Sequence, residues 1–206
     1  MHLRAPAILL SARSHGETAV IARMLTENYG LVAGYVAGGR GRVLRPVVIP
    51  GNLVAAELRA KSDSQLPFAR LELVQSRGPW LNEPLAAAAI SWITSLCASV
   101  LPERNAYPNL YHAMGGVLDA ICQAPSARGW LPGLLQFERL MLRELGYARG
   151  NLAPPPIGSD AELQEMLALF DRLFMPIEKH LLAGAYGDVI SARRLLRGRL
   201  EKLVGS

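Results

Sequence analysis

The hydrophobic period of this chain changes once, near Gly78, and that change constrains the fold more than any other feature. Up to Arg77, apolar and polar residues alternate in short runs that glycines and other turn residues separate. Such alternation is typical of half-buried β-strands. From Gly78 onward the apolar residues recur at helical spacing. The sequence therefore predicts an α+β protein with two domains, a strand-rich domain over residues 1–77 and an all-helical domain over residues 78–206.

Five strands are predicted in the first domain. They cover residues 5–12, 18–26, 31–37, 52–60 and 68–74. The turn at residues 28–30 makes the second and third strands a hairpin, and Ala69, Leu71 and Leu73 of the fifth are predicted to face inward. The segment 38–46 is too rich in glycine and arginine to form a strand. Five short strands in about 75 residues are typical of a small barrel of the oligonucleotide-binding (OB) type.

Five helices are predicted in the second domain. The first three cover about residues 83–100, 108–122 and 134–145, and the fifth covers about residues 191–203. The fourth begins at a capping box formed by Ser159 and Glu162. The fourth is expected to continue past Pro176 with a kink, because Ile177 and Leu181 keep the helical period.

One predicted helix is long enough that a membrane-spanning segment has to be considered. Residues 85–101 carry no charge over 17 positions, which is the lower limit for spanning a bilayer. Prolines flank the segment, and no basic cluster lies beside it to set an orientation. A fully buried helix of a bundle is therefore the prediction, with no membrane association.

The net positive charge lies entirely in the first domain. Up to Arg77 there are ten Lys/Arg against five Asp/Glu, whereas the remainder has twelve of each. A local excess of arginine attracts polyanions, which makes nucleic acid the first partner to consider. A solvated basic surface without a ligand is the alternative.

A basic loop and the expected OB ligand face give the candidate DNA-binding residues. OB folds bind ligands across strands two and three and between the loops at one end of the barrel. The predicted contacts are one tyrosine and seven basic residues near those elements, namely Arg13, Arg23, Tyr35, Arg40, Arg42, Arg45, Arg59 and Lys61. The domain has few aromatic residues, and Phe68 fits the core as well as the surface. Binding is therefore expected to act through phosphates and to depend strongly on salt.

The helical domain carries a possible peptide-binding surface. Arginines lie beside apolar side chains on two predicted helices, at Phe137, Arg139, Leu140, Arg143, Arg193, Arg194 and Arg197. Apolar grooves bordered by arginine suit a short acidic and hydrophobic peptide. The alternative is an ordinary exposed helix face, with Glu138 and Glu144 paired to those arginines.

No catalytic or metal-binding pattern is found in the sequence. The four histidines are scattered singly, and neither a phosphate-binding loop nor a nucleophile elbow occurs. Cys97 and Cys122 have no metal-ligand spacing, which indicates a reducing compartment. The apolar stretch 5–10 is too short for the core of a signal peptide. We therefore expect a cytoplasmic protein that is not an enzyme and has no cofactor or metal.

Several segments resemble the family of the recombination mediator RecO, a DNA repair protein. They are A-I-L-L-S-A-R-S-H-G-E-T over residues 7–18, V-A-G-G-R-G-R over 36–42, F-E-R-L-M-L-R-E-L-G-Y over 137–147 and I-S-A-R-R-L-L-R-G-R-L over 190–200. The resemblance follows the order of that family along nearly the whole chain. None of these segments is a catalytic signature.

The resemblance implies a bacterial, nucleoid-associated protein with an OB fold and a helical domain. It implies binding of single- and double-stranded DNA, annealing of complementary strands and, with the partner RecR, loading of RecA onto strands coated by single-strand-binding protein. It further implies that the helical domain takes the acidic C-terminal tail of that coating protein, with Arg139 and Arg143 as candidates. Many relatives carry four zinc-binding cysteines after the L-G-Y segment, but residues 148–160 have none. Zinc is therefore not expected.

Two functional hypotheses follow from the sequence. The first is a non-enzymatic DNA-binding mediator of recombinational repair, whose barrel holds phosphates and whose helices recruit proteins. The second is an interaction scaffold, whose OB fold binds acidic peptides rather than DNA.

Overall fold

The structure is a computed structural model that describes residues 2–62, 65–147, 163–184 and 187–204. Five strands precede five helices, so the predicted α+β class is confirmed. The strands are β1 (His2–His15), β2 (Ala19–Thr26), β3 (Gly30–Val36), β4 (Leu53–Arg59) and β5 (Phe68–Gln75). The helices are α1 (Pro84–Val100), α2 (Pro108–Gln123), α3 (Leu131–Glu144), α4 (Leu163–Pro176) and α5 (Gly187–Val204).

The strands form a ring of hydrogen-bonded ladders in the order β1-β2-β3-β5-β4, which we call the barrel. β1 is long enough to serve two ladders, because its first half pairs with β4 and its second half with β2. A shift in register between Leu9 and Ser11 separates these halves. The ring closes where β3 meets β5 in parallel, with the Tyr35 amide donating to the Pro67 carbonyl over 2.8 Å.

The interior of the barrel is filled by alternate strand residues, as the period of two predicts. Leu9, Met24, Val54 and Leu58 are fully buried there. Leu73 lies opposite the buried Val54 and so faces inward as predicted, but its side chain is 41% exposed. It lies at the end of β5, where the ladder with β4 becomes irregular.

Residues 38–48 form consecutive turns, which confirms that this glycine- and arginine-rich segment is not a strand. The turns bring Leu44, Val47 and Val48 against the barrel core. The side chain of Asn52 holds them there by donating to the carbonyls of Pro46 and Val47 over 2.9 and 3.0 Å. The segment therefore covers part of the barrel core.

The helix ends differ from the sequence predictions by a few residues. α3 begins at Leu131, because Pro132 suits the first turn of a helix. α4 ends at Pro176 and a π-helical turn, Ile177–Leu181, follows directly, so the chain stays helical past the proline as predicted. The capping box of Ser159 and Glu162 lies outside the described residues.

α1 lies in the centre of the helical core. Trp92, Ile93 and Leu96 are completely buried, and the helix packs along α5. The prediction of a buried bundle helix is therefore confirmed. Within the described residues, none of the helices has the length and apolar character needed to cross a membrane.

The barrel and the helices share a core. Ile8, Leu10, Leu25 and Leu31 point outward from the barrel and belong to the same apolar cluster as α1 and α2. Polar contacts add to this interface through Arg77, whose guanidinium donates to the Gly51 carbonyl over 2.8 Å and to Asp119 over 2.6 Å. Arg77 is 2% exposed. It is therefore a structural residue, although the sequence counts it among the basic residues of the first domain.

Candidate nucleic-acid interface

The outer surface of β1, β2 and β3 carries the most complete group of predicted DNA-binding residues. Residues directly opposite each other in a ladder share one face of a sheet. The register gives two successive rows on this face, Ser11–Arg23–Ala33 and Arg13–Ile21–Tyr35. The structure thus brings Arg13, Arg23 and Tyr35 together on one surface, which we call the β2 face.

Aromatic rings extend the β2 face toward β5. The Tyr35 ring makes edge contacts with His15 and with Phe68, at centroid distances of 5.8 and 5.3 Å. Phe68 is 66% exposed, so of the two positions left open for it, core and surface, the structure shows the surface. It opens β5 opposite Tyr35, where its side chain points away from the barrel. Exposed rings of this kind are suitable platforms for stacking nucleic-acid bases.

His15 and Phe68 are the residues of this surface that sequence reasoning missed. The alternation of β5 contained the signal for Phe68, because Ala69 and Leu71 face inward and the residue before them must face outward. No comparable signal existed for His15, since its contact with Tyr35 depends on how far β1 extends beyond the predicted end at residue 12.

A cleft of about 650 Å³ lies beside the β2 face, between the barrel and helices α1 and α5. Arg13 and Arg23 line it together with four serines, Ser11, Ser91, Ser95 and Ser99, of which Ser95 already donates its hydroxyl to the Ser91 carbonyl over 2.6 Å. Asp188 also lines the cleft. Guanidinium and hydroxyl groups are the usual donors to phosphate oxygens, so the cleft has the chemistry of a phosphate-binding wall.

Arg13 and Arg23 differ in whether a carboxylate of the chain already pairs with them. Arg23 donates to Glu103 over 3.3 Å, and its Nε is buried with no hydrogen-bond partner among the described residues. Arg13 is exposed and makes no ion pair within the part of the chain that the structure describes. Arg13 is therefore available to a ligand at once, whereas Arg23 has to share its guanidinium with Glu103.

The basic loop lies against the turn between β1 and β2. The Arg40 amide donates to the Thr18 carbonyl over 2.9 Å, and its guanidinium donates to the Glu17 carbonyl over 3.0 Å. Arg42 and Arg45 are exposed and form no ion pairs with described residues. Arg40 therefore fixes the position of the loop, and the other two arginines present free charge.

The last two predicted DNA-binding residues lie on a different surface. Arg59 ends β4 and pairs in the ladders with His2 on one side and Phe68 on the other. Lys61 follows it and is exposed. The structure thus does not gather all eight predicted residues into one site. Phe68 connects the β2 face to this second surface.

Glu57 organises the basic groups around Arg59. Its Oε1 accepts hydrogen bonds from Arg59 Nε over 2.8 Å and from Arg4 over 3.0 Å, and it lies 2.9 Å from His2 Nε2. The contacts with His2, Arg59 and Arg4, in that order, lower the pKa of the Glu57 carboxyl to about 2. Glu57 is therefore ionised at neutral pH.

Two of the predicted partner-binding residues lie in the core rather than on the surface. Phe137 is 1% exposed and Arg193 is 3% exposed. The Arg193 guanidinium donates to Glu138 over 2.7 Å and to the Phe170 carbonyl, and it lies over the rings of Phe170 and Trp92. α5 packs along α1 with this face turned inward, which corrects the expectation of an exposed groove containing these two residues.

The buried pair is held by further contacts. The Trp92 indole donates to the same Glu138 oxygen over 2.7 Å. Burial raises the pKa of the Glu138 carboxyl, while the charge of Arg193 and these hydrogen bonds oppose the rise. Arg193 and Glu138 therefore join α5 to α3 within the core.

The remaining predicted partner-binding residues reach solvent. Arg139 donates to Gln136 over 2.9 Å, Arg143 lies 3.6 Å from Glu144, and Leu140 between them is half-buried. Arg194 is exposed on α5.

Arg197 is already paired within the chain. It donates to both carboxylate oxygens of Asp171 over 2.8 and 3.0 Å and to Glu201 over 3.0 Å. These contacts, with Asp171 as the main cause, raise the pKa of the Arg197 guanidinium. The residues left for a partner on α3 are Arg139, Leu140 and Arg143.

The described residues contain no group of three or more His, Cys, Asp or Glu that could hold a metal ion. Burial raises the pKa of the Cys97 thiol, which makes it a poor nucleophile. The segment 148–160, from which the absence of zinc was inferred, lies outside the described residues.

Comparison with known proteins assigns both parts of the chain to one family. The model for the N-terminal domain of recombination protein O matches residues 1–77, and the model for its C-terminal domain matches residues 81–149. The DNA repair protein RecO of Gluconacetobacter diazotrophicus is 35% identical over 166 residues, which cover 79% of this chain and 65% of that protein.

Two further relatives have the same name. The DNA repair protein RecO of Rhodospirillum centenum is 40% identical over 68% of this chain and 55% of its own length. That of Dinoroseobacter shibae is 33% identical over 88% of this chain and 79% of its own length. Two of these three matches thus span less than two thirds of the relative's own length.

Proposed function

The chain belongs to the recombination protein O family of bacterial DNA repair proteins, and on that premise we propose that it is a non-enzymatic, DNA-binding mediator of recombinational repair. It binds single- and double-stranded DNA, anneals complementary strands and helps to load RecA onto strands coated by single-strand-binding protein. Residues 1–77 supply the DNA-binding domain, and residues 78–206 recruit partners. The proposal places this activity at the nucleoid, in the bacterial cytoplasm.

The β2 face is the observation that carries the DNA-binding part of the proposal. It combines two arginines, Arg13 and Arg23, with the half-buried ring of Tyr35 and the exposed ring of Phe68, beside a cleft lined in part by serines. Arginine and serine donors suit phosphate oxygens, and rings suit unstacked bases. This combination favours a single strand that lies across β2 and β3.

Annealing follows physically from phosphate binding. When arginines neutralise the phosphates of two strands, the strands no longer repel each other and can lie close together. Contacts to the backbone leave the base edges free to pair. A basic surface that holds the backbone can thus promote annealing without making or breaking a covalent bond.

The helical part supports a proposal for partners. Arg139, Leu140 and Arg143 present two cations and a half-buried apolar side chain on α3. This chemistry suits the acidic and hydrophobic tail of single-strand-binding protein. RecR is proposed as the partner with which the protein acts on RecA, on the strength of family membership alone.

The test of DNA binding is titration of a fluorescent oligonucleotide at two salt concentrations. The mediator is expected to bind single strands at physiological salt, with an affinity that falls steeply as salt rises. No binding at physiological salt would contradict the proposal and would favour the scaffold that binds acidic peptides.

The test of the mediator role is annealing of oligonucleotides precoated with single-strand-binding protein. We expect annealing on strands coated with the intact protein and a large loss when its acidic tail is removed. The Arg139→Ala, Arg143→Ala double variant should lose this activity while it still anneals naked strands. Equal activity on both coated substrates would contradict the role of the tail.

A further inference from the structure

The outer surface of β1, β4 and β5 forms a second basic surface, next to the β2 face. The ladders give three rows on this surface, His2–Arg59–Phe68, Arg4–Glu57–Arg70 and Pro6–Ala55–Glu72. We call it the β4 face. Phe68 ends its first row and also contacts Tyr35, so the two surfaces meet at this ring.

A groove of about 520 Å³ runs over the β4 face. Its floor is made of the outward-facing Pro6 and Ala55, and two arginines, Arg4 and Arg70, line it together with two glutamates, Glu57 and Glu72. Small residues in the floor allow an extended ligand to approach the strands closely. The groove therefore has the form of a shallow channel bordered by charged side chains of both signs.

Exposure of the charged groups shows which of them a ligand would meet. The side chains of Arg4, Arg59 and Arg70 are 68%, 65% and 78% exposed, whereas that of Glu57 is only 18% exposed. Each guanidinium has five N–H donors, and Glu57 uses only one or two of them. The cations thus face solvent and the Glu57 carboxylate lies beneath them, while the second carboxylate, of Glu72, is itself 69% exposed and lies 3.5 Å from Arg70.

From this arrangement we infer that the β4 face is a second binding surface for the phosphodiester backbone, on which Glu57 competes with the incoming strand for Arg4 and Arg59. The inference rests on the proposed function and adds a second strand-binding surface to it. One barrel then has two surfaces that hold backbone, joined at Phe68, as annealing of two strands requires.

The chemistry of the groove favours nucleic acid over an acidic peptide. An acidic and hydrophobic peptide needs apolar pockets for its side chains, whereas this floor consists of alanine and proline. The large apolar group at the edge is Phe68, whose exposed ring suits a base. Phosphate oxygens match the outward guanidinium donors in charge and geometry.

The first experiment compares Glu57→Gln with Glu72→Gln. Both variants remove one negative charge from the β4 face, but Glu72 is 69% exposed and contacts only Arg70, over 3.5 Å. Glu57→Gln should raise the affinity for a single-stranded oligonucleotide several-fold and steepen the salt slope by about 0.7 for each additional phosphate neutralised. Glu72→Gln should change both quantities much less.

The second experiment places a charge in the groove without changing the arginines. Ala55→Glu adds a carboxylate to the exposed floor, and Ala55→Gln adds a side chain of the same size without charge. We expect Ala55→Glu to weaken oligonucleotide binding several-fold and to slow annealing. Ala55→Gln should bind the oligonucleotide about as tightly as wild type does. Circular dichroism of both variants checks that the barrel is folded.

The outcomes separate this inference from the proposed function. If the wild-type chain does not bind the oligonucleotide, the proposed function itself fails. If wild type binds and Arg13→Ala weakens binding, but Glu57→Gln, Ala55→Glu and wild type behave alike, the second surface is overturned. A gain in Glu57→Gln for polyglutamate but not for the oligonucleotide would overturn the choice of ligand.

Discussion

Arg193 shows how the surroundings of a single residue decide its role. Its guanidinium lies between Glu138 and the rings of Phe170 and Trp92, with its side chain only 4% exposed. The sequence placed it in a basic helical run, and helical periodicity did not reveal which face of α5 turns inward, because leucines occur on both faces. Burial of an arginine depends on partners that are distant in sequence. Helical periodicity does not show which residues these are.

Arg193→Ala should therefore destabilise the fold rather than affect partner binding alone. Loss of one member of a buried pair leaves the other charge uncompensated, which costs about 3 to 5 kcal/mol. Urea denaturation measures this loss. Arg194→Ala, on the exposed side of the same helix, should change the free energy of unfolding by less than about 0.5 kcal/mol. Equal stabilities of the two variants would contradict the structural role of Arg193.

Phe68 should contribute to single-strand binding through stacking. Phe68→Ala is expected to weaken the binding of a single-stranded oligonucleotide by about 1 to 3 kcal/mol and to weaken duplex binding less, since paired bases are not available to the ring. Fluorescence anisotropy with matched single and double strands measures both. Tyr29→Ala is the control, because Tyr29 is 48% exposed in the turn between β2 and β3, away from the β2 face. Equal losses for both strand types would argue against stacking.

The lowered pKa of Glu57 predicts how the stability of the fold depends on pH. Its folded pKa is about 2 and its ordinary value is 4.5, so its contacts stabilise the fold fully above about pH 4.5 and lose that effect as the pH falls toward 2. The melting temperature of wild type should exceed that of Glu57→Gln at pH 6, and the difference should shrink between pH 4.5 and 3. A difference that does not change with pH would contradict the assignment of these contacts to the ionised carboxylate.

At the scale of elements, the sequence predicted most of what the structure contains. The change of period near Gly78 predicted strands before helices, and the hairpin of β2 and β3 brought Arg23 and Tyr35 onto one face. The position of β5 in the sheet was harder to predict from the sequence, because its parallel contact with β3 joins distant parts of the chain. That contact is what makes Phe68 part of the β2 face.

The basic loop behaves as one element with two roles. Arg40 donates to carbonyls of the turn between β1 and β2, whereas Arg42 and Arg45 are exposed. The Arg42→Ala, Arg45→Ala double variant should flatten the salt slope of DNA binding by about one for each lost phosphate contact. Arg172→Ala, an exposed arginine on α4, is the control and should leave the slope unchanged.

Arg40→Ala is expected to act differently from that double variant. Loss of its hydrogen bonds frees the loop from the turn, so the affinity should fall together with the thermal stability of the barrel. If the Arg42→Ala, Arg45→Ala protein kept the salt slope of wild type, the basic loop would not be part of the DNA-binding surface.

At the scale of the whole molecule, the charge count overstates the positive charge that a ligand meets. Arg23 is paired with Glu103, Arg77 with Asp119, and both acids belong to the second domain. The sequence could not show these pairs, since their members are 80 and 42 positions apart. The accessible charge is instead divided between the β2 face, the basic loop and the β4 face.

This division gives the molecule an asymmetric design. The helices cover the part of the outer surface of β2 and β3 that carries Leu25 and Leu31, and the β2 face is the continuation of that surface beyond the helices, next to the β4 face. A strand bound to the barrel therefore lies beside the helical part rather than beneath it. The proposed partner surface on α3 and the proposed DNA-binding surfaces on the barrel are therefore separate, and we expect that they can be occupied at the same time.

The most direct test of this account is the salt dependence of single-strand affinity for wild type and for the Arg13→Ala, Arg23→Ala double variant. If the β2 face binds phosphates, a plot of log affinity against log salt is linear and steep for wild type, and the double variant loses about 1.4 from the slope for two lost contacts. Identical slopes for the two proteins, or an affinity of wild type that does not depend on salt, would contradict the claim.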